Sequence, residues 1–171
     1  MSLSEPIDAD QLAVIALGGN LPGGHASVAA ALQAAVERLP MLGVEPLRVS
    51  RWWRSAAWPD ASDPPFLNGV VLARTSLSPV EVMQALHGLE AAFGRARGQA
   101  NAPRTLDLDL IALGRTVLAD GPTVPHPRAA DRYFVMGPLA EIAPQWTHPV
   151  SGTGAIALAA AAPIGRDATP Q

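Results

Sequence analysis

Residues 105–113 read TLDLDLIAL, and the alternation constrains the backbone more than any other stretch of the chain. In a strand, successive side chains point to opposite faces, so Leu106, Leu108 and Leu110 share one face and Asp107 and Asp109 share the other. The leucines need an apolar layer. The carboxylates, with Cβ atoms roughly 7 Å apart, need water, a cation or a ligand. A chain built around this strand therefore forms a sheet with one dry face and one face that is open at least in part.

The remaining elements supply that sheet. LAVIALGG (12–19) is a short apolar run closed by glycines and reads as a buried strand. Ser27 is placed to cap a helix over 27–39, whose stripe is Val28, Leu32, Ala35, Val36 and Leu39, with Pro40 and Gly43 ending it. VEPLRVSRWWRS (44–55) reads as one strand, with Pro46 placing its start near an edge. A proline-rich loop (56–65) leads into a third strand, FLNGVVLART (66–75). The helix over 76–95 has Ser78 as N-cap, Pro79 at its first position and Glu81 completing a capping box. After the loop 96–103 comes the strand at 105–113, and GRTV suggests a turn into a short fifth strand. Residues 125–144 suggest two short helical pieces, and 151–171 carry no pattern that predicts structure.

The order β-α-β-β-α-β predicts an α+β, ferredoxin-like domain. Its antiparallel sheet has helices on one face, and its C-terminal extension follows the last strand. The other sheet face is left to solvent, extra segments or a ligand. The expected division is a lead-in at 1–11, one catalytic domain at 12–150 and a tail at 151–171.

Composition narrows the function. The chain has 171 residues, 49% of them apolar, which suits one globular domain with a real core. A formal net charge of −3 argues against a protein that coats nucleic acid. With no cysteine, disulfides, thiol catalysis and cysteine-ligated metals are excluded. The first ten residues lack the basic start and apolar core of a signal peptide, and no apolar tract is long enough to span a bilayer. The expectation is a cytoplasmic monomer with no membrane or nucleic-acid partner. Every basic side chain is arginine, so a Walker A phosphate loop, which needs lysine, is excluded.

Three clusters carry candidate chemistry. The first is the carboxylate pair Asp107 and Asp109, with Arg95, Arg97 and Arg104 just upstream. A D-x-D strand can simply be a half-exposed strand with solvated acids. With arginines beside it, the same pattern suits Mg²⁺ and a polyphosphate, because phosphoryl transfer depends on positioning and charge neutralisation. The second is TVPHPRAADRYF (123–134), with His126 between two prolines and Arg132 and Phe134 following. The third is WWRSAAWPDASDPPFLN (52–68), where Trp53, Trp58 and Phe66 offer either core packing or a slot for a flat heterocycle, and Asn68 offers an amide to read its edge.

The ordered set ALGGN (16–20), FLN (66–68), Glu90 with Arg95, PRTLDLDL (103–110), VPHPR (124–128) and RYFVMGPLAEIAP (132–144) resembles the 6-hydroxymethyl-7,8-dihydropterin pyrophosphokinases of folate biosynthesis. The likeness extends over roughly residues 12–150. It implies transfer of the pyrophosphoryl group of ATP to the pterin hydroxymethyl, giving AMP and the pterin diphosphate. It further implies two Mg²⁺ ions held by Asp107 and Asp109 with ATP oxygens, and nucleotide contacts from Glu90, Arg95, Arg97, Arg104, His126 and Arg132. Arg95 and Arg104, with the two aspartates, would form the catalytic set. The implied pterin pocket comprises Ser55, Ala56, Trp58, Phe66, Asn68 and Phe134, with the two phenylalanines on either side of the ring. Two departures stand out: Asn101-Ala102 where many members have Arg-Trp-Gly, and Ala56 where many have proline. Closure of the 94–103 loop over the metal strand would exclude water. Two other classes fit the residues alone: another Mg²⁺-dependent phosphoryl-transfer or hydrolytic enzyme, and a ferredoxin-like binding module.

Overall fold

The computed structural model describes residues 8–57, 59–94 and 105–171. The sheet is formed by β1 (Ala13–Gly19), β2 (Val44–Val49), β3 (Trp53–Ser55), β4 (Phe66–Thr75), β5 (Asp107–Leu113) and β6 (Thr169–Pro170). Its order is β5-β1-β4-β3-β6, with β2 also paired to β4. The pairings of β1, β2, β3 and β6 are all antiparallel. Four helices accompany it: α1 (Val28–Arg38), α2 (Pro79–Ala92), α3 (Tyr133–Ile142) and α4 (Ala155–Ala161).

The helix starts are where the sequence puts them. Ser27 Oγ accepts the Ala30 N–H at 3.0 Å. Ser78 Oγ accepts the Glu81 N–H at 3.2 Å while Glu81 Oε1 accepts the Ser78 N–H at 3.4 Å, a reciprocal capping box. Helices α1 and α2 cover one sheet face, where Leu32, Val36, Leu86 and Leu89 meet Ile15, Leu17, Val71, Leu106, Leu108 and Leu110. The leucines of the alternating strand are therefore the dry side, as expected.

The strand expected over 44–55 is broken. β2 and β3 pair with different parts of β4. Between them, Ser50 N–H donates to Val70 O and Ser50 Oγ accepts the Val70 N–H, each at 2.9 Å, so a side chain takes one place in the ladder. The Trp52 ring lies over Gly69, where a Cβ would stand 2.5 Å from its Cε3. The short strand expected after residue 113 is a single bridge, Leu118 to Val124. Pro122 lacks an N–H and Gly121 turns the chain at φ +76, which leaves no room for a longer ladder.

The second sheet face is shared. Toward one end, Val14, Val70, Leu72 and Ile111 pack under α3 through Val135, Met136 and Leu139, with Trp146 and α4 behind them. The stretch 151–171, without a predicted structure, thus provides α4 and the edge strand β6. Toward the other end the same face borders a cleft, and that is where Asp107 and Asp109 stand. No helix of the described residues is long and apolar enough to cross a membrane.

Candidate active site

Cross-strand register decides which side chains meet. Asp107 lies opposite Gly18, and Asp109 opposite Ala16. Gly18 lies opposite Asn68, which lies opposite Trp53; Phe66 lies opposite Ser55. The C-terminal ends of β1 and β3 and the N-terminal ends of β4 and β5 therefore bring carboxylates, an amide, an aromatic ring and a hydroxyl to one corner. They line a cleft of about 920 Å³, closed from above by Arg128, Asp131, Arg132 and Phe134 and along one side by Ile164, Gly165 and Asp167. That size suits a ligand-sized site.

The floor is tightly set. Asn68 Nδ2 donates to Ser55 Oγ at 3.4 Å, and a Cβ on Gly18 would stand 2.6 Å from Asn68 Oδ1. The asparagine amide thus spans the gap between β3 and the bare backbone of Gly18. Asn20, buried at the end of β1, donates from Nδ2 to Pro64 O at 3.0 Å and ties down the loop that delivers Phe66. This is the local reason for the asparagine of ALGGN.

Asp107 and Asp109 are half-buried, while Leu106, Leu108 and Leu110 are buried on the far side. Among the described residues no group of three or more His, Asp or Glu side chains is arranged to enclose a metal. Two carboxylates on an open cleft instead fit Mg²⁺ that completes its shell with water and substrate oxygens, as it does in nucleotide enzymes. Glu90, on α2, meets the same strand at its outer edge: it is 2% exposed, and its Oε2 accepts the Leu108 N–H at 3.0 Å. A carboxylate bonded to the backbone between the two aspartates steadies the strand that carries them.

His126 follows the same strand edge. Its N–H donates to Ile111 O at 2.8 Å, and its Nδ1 accepts the Arg128 N–H at 3.2 Å. Nδ1 is an acceptor here, so the neutral ring carries its proton on Nε2. Burial pushes the imidazole below its ordinary value; Asp109 pulls the other way, Arg132 and Arg128 add to the lowering, and Asp107 opposes it. Arg132, the residue before α3, has its guanidinium carbon 5.9 Å from the Phe134 ring centre.

Of the residues singled out in the sequence, Ser55, Ala56, Phe66, Asn68, Asp107, Asp109, Arg132 and Phe134 line one cleft, with His126 against its acidic side. Arg95, Arg97, Arg104 and Trp58 lie outside the described residues, as does most of the loop expected to close over the site. Trp53 is core: it is 7% exposed, packs on Gly137 and Tyr133, and its Nε1 donates to Glu141 at 3.2 Å. Sequence reasoning missed Arg128, Asp131, Ile164, Gly165 and Asp167. Arg128 belongs to the VPHPR motif and was within reach of it. The last three come from a stretch with no periodicity to read.

The sequence and the fold both have counterparts among known proteins. Residues 14–144 match the family described as 7,8-dihydro-6-hydroxymethylpterin-pyrophosphokinase. A 2-amino-4-hydroxy-6-hydroxymethyldihydropteridine pyrophosphokinase of Synechocystis is 45% identical over 148 residues, covering 85% of this chain and 73% of its own length. The enzyme of the same name from Pseudomonas aeruginosa is 40% identical over 139 residues, covering 78% and 82%. In the crystal structure of wild-type Plasmodium falciparum HPPK-DHPS, the similarity has a TM-score of 0.66 at 11% identity. It covers 87% of this chain and 44% of that one, so it speaks for the fold, and the present chain spans less than half of that protein. The chain belongs to the 7,8-dihydro-6-hydroxymethylpterin-pyrophosphokinase family, the enzymes that transfer pyrophosphate from ATP to that pterin in folate synthesis.

Proposed function

We propose that the cleft carries out this transfer with one division of labour: the acidic end binds Mg²⁺ and the triphosphate, and the Asn68 end binds the pterin. The observation that supports it most is the single row Asp107–Gly18–Asn68, which runs from carboxylate to amide across three adjacent strands. Asp107 and Asp109 would hold two Mg²⁺ ions together with ATP oxygens. Bound there, Mg²⁺ supplies charge neutralisation on the β- and γ-phosphates.

The chain's own groups do the rest. Arg132 and the Nε2–H of His126 face the phosphates, and a bound triphosphate would draw a proton toward the imidazole. Phe66 and Phe134 hold the flat pterin between them, and Asn68 with the backbone of 55–57 reads its polar edge. The pterin hydroxyl oxygen bonds to the β-phosphorus as the bond from that phosphorus to the α–β bridging oxygen breaks. AMP departs, the hydroxyl proton passes to water, and no covalent enzyme intermediate forms. Holding the two reactants in line supplies most of the acceleration.

The test is AMP formation from ATP, Mg²⁺ and 6-hydroxymethyl-7,8-dihydropterin, set against a control without pterin. AMP that appears only with pterin is the expected result. Equal AMP in both would make the protein a nucleotide hydrolase.

A further inference from the structure

The residues beyond α4 enter neither the family match, which ends at 144, nor the transfer described above, yet they form one side of the cleft. They are fastened at both ends. Ile164 O accepts the Tyr133 N–H at 2.8 Å and Ile164 N–H donates to Asp131 O at 3.0 Å, which ties the segment to the start of α3. At the other end β6 pairs with β3, and Gln171 N–H donates to Trp52 O at 2.9 Å. Gly165, at φ +75, lies against the Phe134 ring so closely that no side chain fits between them.

Between these anchors is one side-chain contact to the pocket. β6 pairs only with Trp53 and Arg54. Two residues further along, the Ala56 N–H is met by a carboxylate: Asp167 Oδ2 accepts it at 2.7 Å. Ser55, Ala56 and Asp167 all line the cleft. The bond continues the edge ladder by one step through a side chain, at the point where the backbone leaves β3 and turns along the pterin wall. At 2.7 Å it is a short bond from a backbone amide to a carboxylate oxygen.

We propose that Asp167 is a positioning residue for the pterin, holding the Ala56 amide and so fixing the backbone of 55–57 opposite Phe66 and Asn68. This rests on reading that end of the cleft as the pterin site. It assigns Asp167 no contact with ATP, whose proposed ligands lie on β5 and near His126.

The experiment uses the full chain with Mg²⁺ and a non-hydrolysable ATP analogue, and measures the Kd for 6-hydroxymethyl-7,8-dihydropterin, the Kd for the analogue, and Tm. Asp167→Ala should weaken pterin binding about tenfold, the scale of one charge-assisted hydrogen bond, and leave analogue binding and Tm nearly unchanged. Asp167→Asn, which keeps an acceptor oxygen, should recover most of the loss. Ala56→Pro removes the donor and installs the residue many family members carry there, so in that background Asp167→Ala should change pterin binding little. Pterin binding by Asp167→Ala equal to the parent's would overturn the proposal. So would a parallel loss of pterin and analogue binding that tracks a lower Tm, or additive effects of the two substitutions. A parent chain that binds no pterin would instead overturn the reading of the cleft on which the proposal depends.

Discussion

The two faces of β5 differ in kind, although their residues alternate along a single strand. Leu106, Leu108 and Leu110 are at most 2% exposed beneath α1 and α2. Asp107 and Asp109, one residue away in each direction, stand at the cleft. On the cleft face itself the contrast repeats along the strands. Val14, Val70 and Ile111 are covered by α3, while Ala16, Asn68 and Asp109, two residues nearer the open end, are not. Buried core and open cleft are thus separated by the strand period in one direction and by the reach of α3 in the other. Substitutions on the two faces should have opposite phenotypes.

The largest effect should come from the acids. Asp107→Ala or Asp109→Ala should lower turnover about a thousandfold or more, the scale of losing a preorganised electrostatic group. Tm should be unchanged or slightly higher, because two like charges no longer face each other. Near-normal turnover with Mg²⁺ would remove both residues from the metal site. Leu108→Ala, between them, should do the reverse: about 2–5 kcal/mol of stability lost, by chemical denaturation, with residual turnover per folded molecule close to the parent's. Gly18→Ala sharpens the boundary between the acid and amide ends. Its Cβ would displace Asn68 Oδ1, so the KM for pterin should rise about tenfold, in line with small misplacements at reacting sites, while the KM for ATP stays put. An equal rise in both would mean the two ends are not separable.

The smallest effect concerns the α3 side. Burial raises the Glu141 carboxyl, but bonds from Arg51 N–H at 2.7 Å, Arg51 Nε at 3.0 Å and Trp53 Nε1 outweigh it, and the group titrates below its ordinary range. An unfolded chain therefore takes up this proton first as pH falls. The stability it contributes is complete above the ordinary value of 4.5 and drains away as pH drops through the lower folded value. Glu141→Gln should lower Tm by a few degrees at pH 7, and thermal melts of parent and variant should converge in acid. A gap that stays constant with pH would mean the loss is one of packing and not of charge.

The parts of the fold that were legible in the sequence are those with a local cause. Alternation at 105–113 and the capping box at Ser78–Glu81 depend on neighbours within a few residues, and both are present in the structure. The break after β2 was not legible, because it comes from Ser50 Oγ bonding to an amide twenty residues away. The same holds for the C-terminal stretch. Its alanines have no strong helical stripe, and its order comes from contacts such as Asp167 with Ala56, 111 residues apart. In the site, residues within motifs could be found one by one. The bond from Leu108 N–H to Glu90 was not legible, because a motif position tells which residue is present and not which backbone group it meets.

Gly18 gives the arrangement a property of its own. Asp107, Gly18 and Asn68 sit on three neighbouring strands at one level, so the separation between the acid and the amide is two inter-strand steps, roughly 10 Å. Backbone hydrogen bonds set that length between the Cα positions, and side-chain rotamers adjust only the reach from them. The sheet acts as a gauge block under the cleft: replacing either side chain would change what is held there, while the backbone span between the two positions stays fixed.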